Sequence, residues 1–241
     1  MNIALILSGG SGLRVGSNIP KQYIEVAGKP IITYCIKTLA GHEAVDAVWV
    51  VAEEEWQGKI MSWLKMYGLE GSIQGFSLPG ANRQLSILNG LEDIAKVAAD
   101  DDVVMIHDAA RPCLSEQMIS GCFDNVKGHD GVLPVLPMKD TVYLSEDGKS
   151  VSSLLDRQKI FAGQAPEVFV LGKYLEANRA LVEKEIVMDD GTKQPAILSI
   201  NGSTEPAILA GLDVVMIPGD EKNFKITTRE DLERFRKVIE G

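Results

Sequence analysis

Five apolar residues in succession, Ile3 to Leu7, run directly into Ser8-Gly9-Gly10-Ser11-Gly12. A strand with one wet face alternates apolar and polar residues, whereas a short unbroken run suits a strand covered on both faces. The same kind of run recurs at Ala47 to Ala52, Val103 to Ile106, Val132 to Leu136 and Val214 to Ile217. Between these runs Trp56, Ile60, Trp63, Leu64 and Tyr67 recur at helical spacing, as do Leu85, Leu88, Leu91 and Ile94-Ala95. A last helix is expected from Thr228, with Glu230 and Asp231 in its first turn, where carboxylates oppose the helix dipole. This alternation predicts an α/β fold with a mainly parallel twisted sheet flanked by helices.

One stretch breaks the rhythm. From Thr141 to Leu155 two β-prone segments flank Asp147-Gly148, a strong hairpin signal. An isolated hairpin is marginal in water. An arm over about residues 138–163 is therefore expected to project and be covered by a second copy of the chain. No repeat or linker interrupts the rest, so residues 1–241 are expected to form one domain with an arm.

Charge and cysteine usage narrow the function classes. With 24 basic and 34 acidic residues the formal net charge is −10, which gives no basic footprint for nucleic acid. Cys35, Cys113 and Cys122 stand alone, without the spacing of a disulfide framework or zinc site. The N-terminal apolar run lacks a leading cation and is shorter than a signal peptide's, and no run approaches the length of a membrane span. A cytoplasmic protein is expected, with neither nucleic acid nor membrane as a partner.

Three glycines among positions 9, 10 and 12 let a ligand approach the main chain, and free N–H groups there can cradle an anion. A tight turn without a ligand would look the same. Val15 stands where a dinucleotide-binding turn needs its third glycine, and Gly16 is followed by Ser17-Asn18 where a Walker A loop needs Lys-Ser/Thr. Arg14 and Lys21 bring two cations into the same loop, and Pro20 favours an extended path over a continuing helix. In an acidic chain that pairing points to a local anion site.

A second candidate is His107-Asp108-Ala109-Ala110-Arg111-Pro112, directly after an apolar strand. Ligands of open α/β sheets sit beyond the carboxyl ends of the strands, so Asp108 should share a crevice with the glycine turn. There it suits Mg²⁺, which is commonly bridged by one or two carboxylates to substrate phosphates. It could equally cap its turn and pair with Arg111. His107 reads better as a packed support for the loop than as a catalyst, and His42 and His129 have no metal-like spacing. Ser86, in Gly80-Ala81-Asn82-Arg83-Gln84-Leu85-Ser86, could bond a base or only its own turn. Lys225, in Asn223-Phe224-Lys225-Ile226-Thr227, could be a crevice cation or a surface residue.

Together these segments, with Pro20-Lys21-Gln22-Tyr23 and Lys139-Asp140-Thr141, closely resemble the 2-C-methyl-D-erythritol 4-phosphate cytidylyltransferase family and its near relatives, the ribitol-5-phosphate cytidylyltransferases. The motifs run in family order from residue 4 to about 235. The resemblance implies a Rossmann-like nucleotidyltransferase fold, a homodimer with exchanged arms, and CMP transfer from CTP to a polyol phosphate with release of pyrophosphate. By the same resemblance Ser8, Gly9, Gly10, Ser11 and Gly12 would hold the nucleotide, with Arg83 beside it. Arg14, Lys21 and Lys225 would surround the reacting phosphates, and the Gly80 backbone and Ser86 would read the cytosine. Asp108 would bind Mg²⁺, and Thr141 and Arg157 would grip the acceptor phosphate, Arg157 in the neighbouring subunit.

Departures from the family pattern fall on the acceptor side. Gln-Thr-Pro-Gln reads Gln164-Ala165-Pro166-Glu167 here, and a Thr-Asp pair reads Thr204-Glu205. Ala109-Ala110 favours methylerythritol phosphate over ribitol 5-phosphate as acceptor. Two other classes remain to be weighed: a nicotinamide-dependent oxidoreductase, weakened by Val15, and a nucleotide-binding regulator without catalysis.

Overall fold

The computed structural model describes residues 1–10 and 19–240. Its centre is an eight-stranded sheet of β1 (Asn2–Leu7), β2 (Ala47–Val51), β3 (Gly75–Ser77), β4 (Val103–Asp108), β5 (Gly131–Pro137), β6 (Phe161–Gly163), β7 (Glu167–Val170) and β8 (Val214–Pro218). Four neighbouring strands run parallel in the order β4-β1-β2-β3, and β8 runs parallel to β5. β7 lies antiparallel between β4 and β5, and β6 is antiparallel to the far end of β5. The sheet is thus mixed, mostly parallel.

The unbroken run in β1 is explained by its two faces. Ala4 and Ile6 pack into one apolar layer with helices α1 (Ile31–Ala40), α2 (Glu54–Met66) and, further along that face of the sheet, α4 (Glu116–Asn125). Ile3 and Leu5 face the opposite layer, with α3 (Arg83–Ile94) and α5 (Leu171–Glu183). Every residue of the run from Ile3 to Ile6 is therefore buried. α6 (Glu205–Leu209) contributes Ala207 to the second layer, while α7 (Arg229–Glu240) packs Leu232 and Phe235 on Ile31 and Ile226. As its sequence suggests, α7 starts on a carboxylate: Asp231 accepts from the Thr227 and Thr228 N–H groups.

Register positions the site. β4 runs two residues past its apolar stretch, so that Asp108 pairs with Leu7. Leu7 pairs in turn with Val51, and Val51 with Ser77. The carboxyl ends of four strands are therefore level, with Ser8-Gly9-Gly10 leaving the sheet beside Asp108.

Two features differ from the expectations. β7 carries no alternation and only four residues, yet it is the strand that joins the two halves of the sheet. In the arm, Val142–Leu144 pairs with Ser153–Leu155 as expected, but across an eight-residue connection, 145–152, rather than a two-residue turn. Asp147 Oδ1 accepts from the Lys149 and Ser150 N–H groups, which organises that wider loop. The arm leaves Tyr143, Leu144, Val151 and Leu154 exposed.

Candidate active site

A cleft of about 590 Å³ opens over the level strand ends. Gly9, Gly10, Lys21, Gly80, Arg83, Ser86, Asp108 and Lys225 all line it. Ser11, Gly12 and Arg14 lie outside the described residues. Ser8 is next to the cleft, and its buried side chain donates to the Tyr23 hydroxyl at 2.7 Å. Thr141 and Arg157 do not reach the cleft of their own chain. Both are exposed on the arm, where Arg157 Nη1 donates to the Lys139 carbonyl.

The two glycines of the bend do different work. A Cβ on Gly9 would stand 2.4 Å from Pro79 Cβ, so this position has no room for a side chain. A Cβ on Gly10, which lines the cleft, would meet nothing within 4 Å among the described residues.

Across the cleft, Asn82 caps α3 by accepting from the Leu85 N–H. Ser86 Oγ donates to the Asn82 carbonyl and accepts from the Gly80 N–H at 3.0 Å. With that N–H engaged, Gly80 can meet a base only through its carbonyl. Its backbone is pressed so tightly on Leu85 that a Cβ would come within 2.4 Å of Leu85 Cβ.

Asp108 is the centre of charge. Its carboxylate lies 2.9 Å from Lys225 Nζ, 3.1 Å from Arg83 Nη2 and 3.6 Å from Arg111 Nε. Burial works against its ionisation, but Arg83, Lys225 and Arg111 prevail and hold the carboxyl well below the usual range. One residue earlier, His107 is fully buried with Nε2 3.0 Å from the Arg111 carbonyl. Burial lowers its pKa to about 4, so it is a neutral packing residue at physiological pH. The Arg111 side chain reaches the Asn223 carbonyl at 2.7 Å, which ties this loop to the one that carries Lys225.

Behind the cleft a network joins Arg83 and Glu167, each in a segment singled out in the sequence, through Ser203, which was not. Arg83 Nη1 donates to Ser203 Oγ at 2.7 Å, and Ser203 Oγ in turn bonds the Glu167 carboxylate. Burial raises the Glu167 pKa, against the pull of Arg83 and Ser203. Arg83 thus stands between two carboxylates. The pairing of Asp108 with Arg111, one of the alternatives the sequence offered, is present. Sequence reasoning gave Ser203 no role, and quoted Gln22 only as a member of the Pro20-Lys21-Gln22-Tyr23 segment.

Among the described residues no three His, Cys, Asp or Glu side chains gather as a metal cage. Asp108 is the carboxylate of the cleft lining among the described residues; with its oxygens facing Lys225, Arg83 and Arg111, it would hold a cation of the magnesium type only together with phosphate oxygens and water.

The family model described as 2-C-methyl-D-erythritol 4-phosphate cytidylyltransferase matches residues 2–240. A ribitol-5-phosphate cytidylyltransferase of Streptococcus agalactiae is 31% identical over 100% of this chain and 96% of its own. A 2-C-methyl-D-erythritol 4-phosphate cytidylyltransferase of Nitrosomonas eutropha is 33% identical, covering 98% of this chain and 96% of that protein. Among solved structures, 4-diphosphocytidyl-2C-methyl-D-erythritol synthase of Anaerococcus prevotii superposes with a TM-score of 0.79 at 22% identity, covering 100% of this chain and 96% of that one. The Francisella tularensis 2-C-methyl-D-erythritol 4-phosphate cytidylyltransferase gives a TM-score of 0.77 at 23% identity, with 98% of each chain covered.

Proposed function

The chain belongs to the 2-C-methyl-D-erythritol 4-phosphate cytidylyltransferase family, and on that premise we propose how its cleft transfers CMP from CTP and to which acceptor. The observation that carries the reading is the meeting of Lys21, Arg83, Asp108 and Lys225, from four separate segments, around the Gly9-Gly10 bend.

The acceptor phosphate is already an anion near neutral pH, so the reaction needs no strong base. Its barrier is the approach of two polyanions, and positioning and positive charge lower that barrier. CTP lies with its phosphates along the bend and its base against the Gly80 carbonyl and Ser86. An acceptor phosphate oxygen attacks the α-phosphorus while pyrophosphate leaves. Lys21 and Lys225, with Arg14 from the segment outside the described residues, balance the charge that accumulates there. Arg83 keeps the nucleotide side positive. Asp108 would hold Mg²⁺ together with phosphate oxygens, and the ion would supply further positive charge between the phosphates.

The acceptor is 2-C-methyl-D-erythritol 4-phosphate. The small, buried Ala109 and Ala110 support this, as does the matching family model. Ribitol 5-phosphate is the second reading, favoured by the Streptococcus agalactiae relatives, while Ala165 and Glu167 depart from the family pattern on the acceptor side. The whole chain acts as one cytidylyltransferase unit. Its arm, about 138–163, exchanges with that of a second copy, placing Thr141 and Arg157 at the partner's cleft. The exposed apolar residues of the arm support that exchange. Among the described residues no helix is long and apolar enough to cross a membrane. The three free thiols suit the reducing cytoplasm.

Pyrophosphate release from CTP and Mg²⁺, followed with each acceptor in turn, tests the reading. Turnover with methylerythritol phosphate alone is expected. Preference for ribitol 5-phosphate would reassign the acceptor, and CTP binding without turnover would leave only a nucleotide-binding regulator.

A further inference from the structure

The turn Lys21–Tyr23 has no role so far beyond its lysine, yet its next two side chains are among the most buried polar groups of the protein. Gln22 is 3% exposed and Tyr23 2%. Gln22 Nε2 donates to two main-chain carbonyls of the glycine bend, Ser8 O at 2.6 Å and Gly10 O at 2.8 Å. Tyr23 Oη donates to the same Ser8 carbonyl at 3.1 Å and accepts from Ser8 Oγ at 2.7 Å. The Tyr23 ring stacks on Trp56 with centroids 4.1 Å apart, which anchors the turn in the core.

We infer that Gln22 is a positioning residue for cytidylyl transfer, a clamp that fixes the Lys21 turn on the phosphate-holding bend and acts on the rate through Lys21. This rests on the proposed function above. The chemistry is specific to a primary amide. A single nitrogen with two N–H groups can satisfy two carbonyls at once, which neither a carboxylate nor a thioether can do. The two carbonyls belong to the bend that cradles the nucleotide, and the amide belongs to the residue adjoining a cation of the cleft. Without the clamp the two parts remain in the protein but lose their fixed separation. A shift of about 1 Å between reacting groups can cost roughly a hundredfold in rate. Tyr23 alone cannot replace the clamp, because its hydroxyl reaches Ser8 and not Gly10.

The test is a double-mutant cycle on the full chain, with Gln22→Met, Lys21→Met and the double variant. Folding is checked by circular dichroism and thermal melting, and rates are measured well below each melting point. Gln22→Met is expected to lower kcat by about 20-fold or more while KM for CTP moves less than about threefold. In the Lys21→Met background the same change should alter kcat by less than about twofold, since its route of action is already gone. Should Gln22→Met fail to fold, Gln22→Asn serves, keeping the amide but one methylene too short to span both carbonyls. Full additivity of the two losses, a change confined to KM, or an unaltered kcat would each overturn the clamp. Absence of turnover by the unmodified enzyme with every acceptor would instead sink the proposed function itself.

Discussion

Lys225 Nζ lies 2.9 Å from Asp108 Oδ2, joining the last loop of the chain to the end of a central strand. With Arg83 and Arg111 on the same carboxylate, one negative charge neutralises part of a three-cation cluster. Asp108→Asn keeps the shape and removes that charge. In the absence of divalent metal its affinity for CTP should rise about three- to tenfold, a change of about 1 kcal/mol, because the cluster then meets the phosphates without a competing buried carboxylate. Turnover with Mg²⁺ should fall roughly 10²–10³-fold, the scale of losing one preorganised electrostatic group. Titration calorimetry in chelator and pyrophosphate release measure the two halves; a parallel loss of affinity and turnover would contradict the account.

Gly9 and Gly10 separate folding from binding within one bend. Gly9→Ala forces a methyl group onto Pro79, so its melting temperature should drop by several degrees, overpacking of this kind costing about 1–3 kcal/mol. Gly10→Ala meets no atom of the described residues within 4 Å and should melt like the parent. If the bend holds the nucleotide as proposed, that methyl obstructs it, and CTP affinity should weaken about tenfold or more, since about 1.4 kcal/mol is tenfold in binding. Melting curves with and without CTP distinguish the pair, and a Gly10→Ala protein that binds CTP normally would remove the bend from the site.

Glu167 gives a pH signature in stability. Its folded pKa is raised by burial, so the native state holds that proton more tightly than the unfolded chain. The stability linked to it is complete below the ordinary glutamate range and is lost as pH rises through the raised value. Glu167→Gln keeps a side chain able to bond Ser203 and never ionises. It should therefore exceed the parent in stability at pH 8, with the advantage shrinking as the pH falls toward 4. Urea unfolding at both pH values checks the sign, and an advantage that grows in acid would refute the buried, reluctant carboxylate.

What could be read from the residues follows from how local each signal is. The strand runs and the helical stripe of α2 are set by neighbours a few positions apart, and they appeared where the sequence placed them. Asp108 and Lys225 could be singled out because each interrupts an apolar segment. The Glu167–Ser203–Arg83 chain could not, since Glu167 stood out only as a departure from the family pattern and Ser203 not at all; β7, antiparallel beside β4, carries Glu167, and Ser203 joins it to Arg83 from the turn before α6. Gln22 escaped for the same reason: its partners are backbone carbonyls, which leave no mark in the sequence. The wide loop of the arm escaped because Asp147-Gly148 signals a reversal of the chain but not how many residues flank it.

Arg157 is exposed on the arm and holds the Lys139 carbonyl, away from the cleft of its own chain. If it serves the partner's cleft, two inactive variants should rescue each other. Lys21→Met and Arg157→Ala are each expected to be nearly silent. In a mixed dimer the body of the Arg157→Ala subunit retains Lys21 and receives an intact Arg157 from the Lys21→Met subunit. That site is complete, while the other lacks both residues. Random exchange makes half the dimers mixed, so the mixture should recover about a quarter of the parental activity if the assembly is a symmetric dimer. Service within one chain predicts no recovery, because no subunit then holds both residues. Leu154→Asp, which places a charge in the apolar surface of the arm, should sediment as a monomer and abolish the recovery. Activity retained by that monomer would show instead that each cleft is complete without its neighbour.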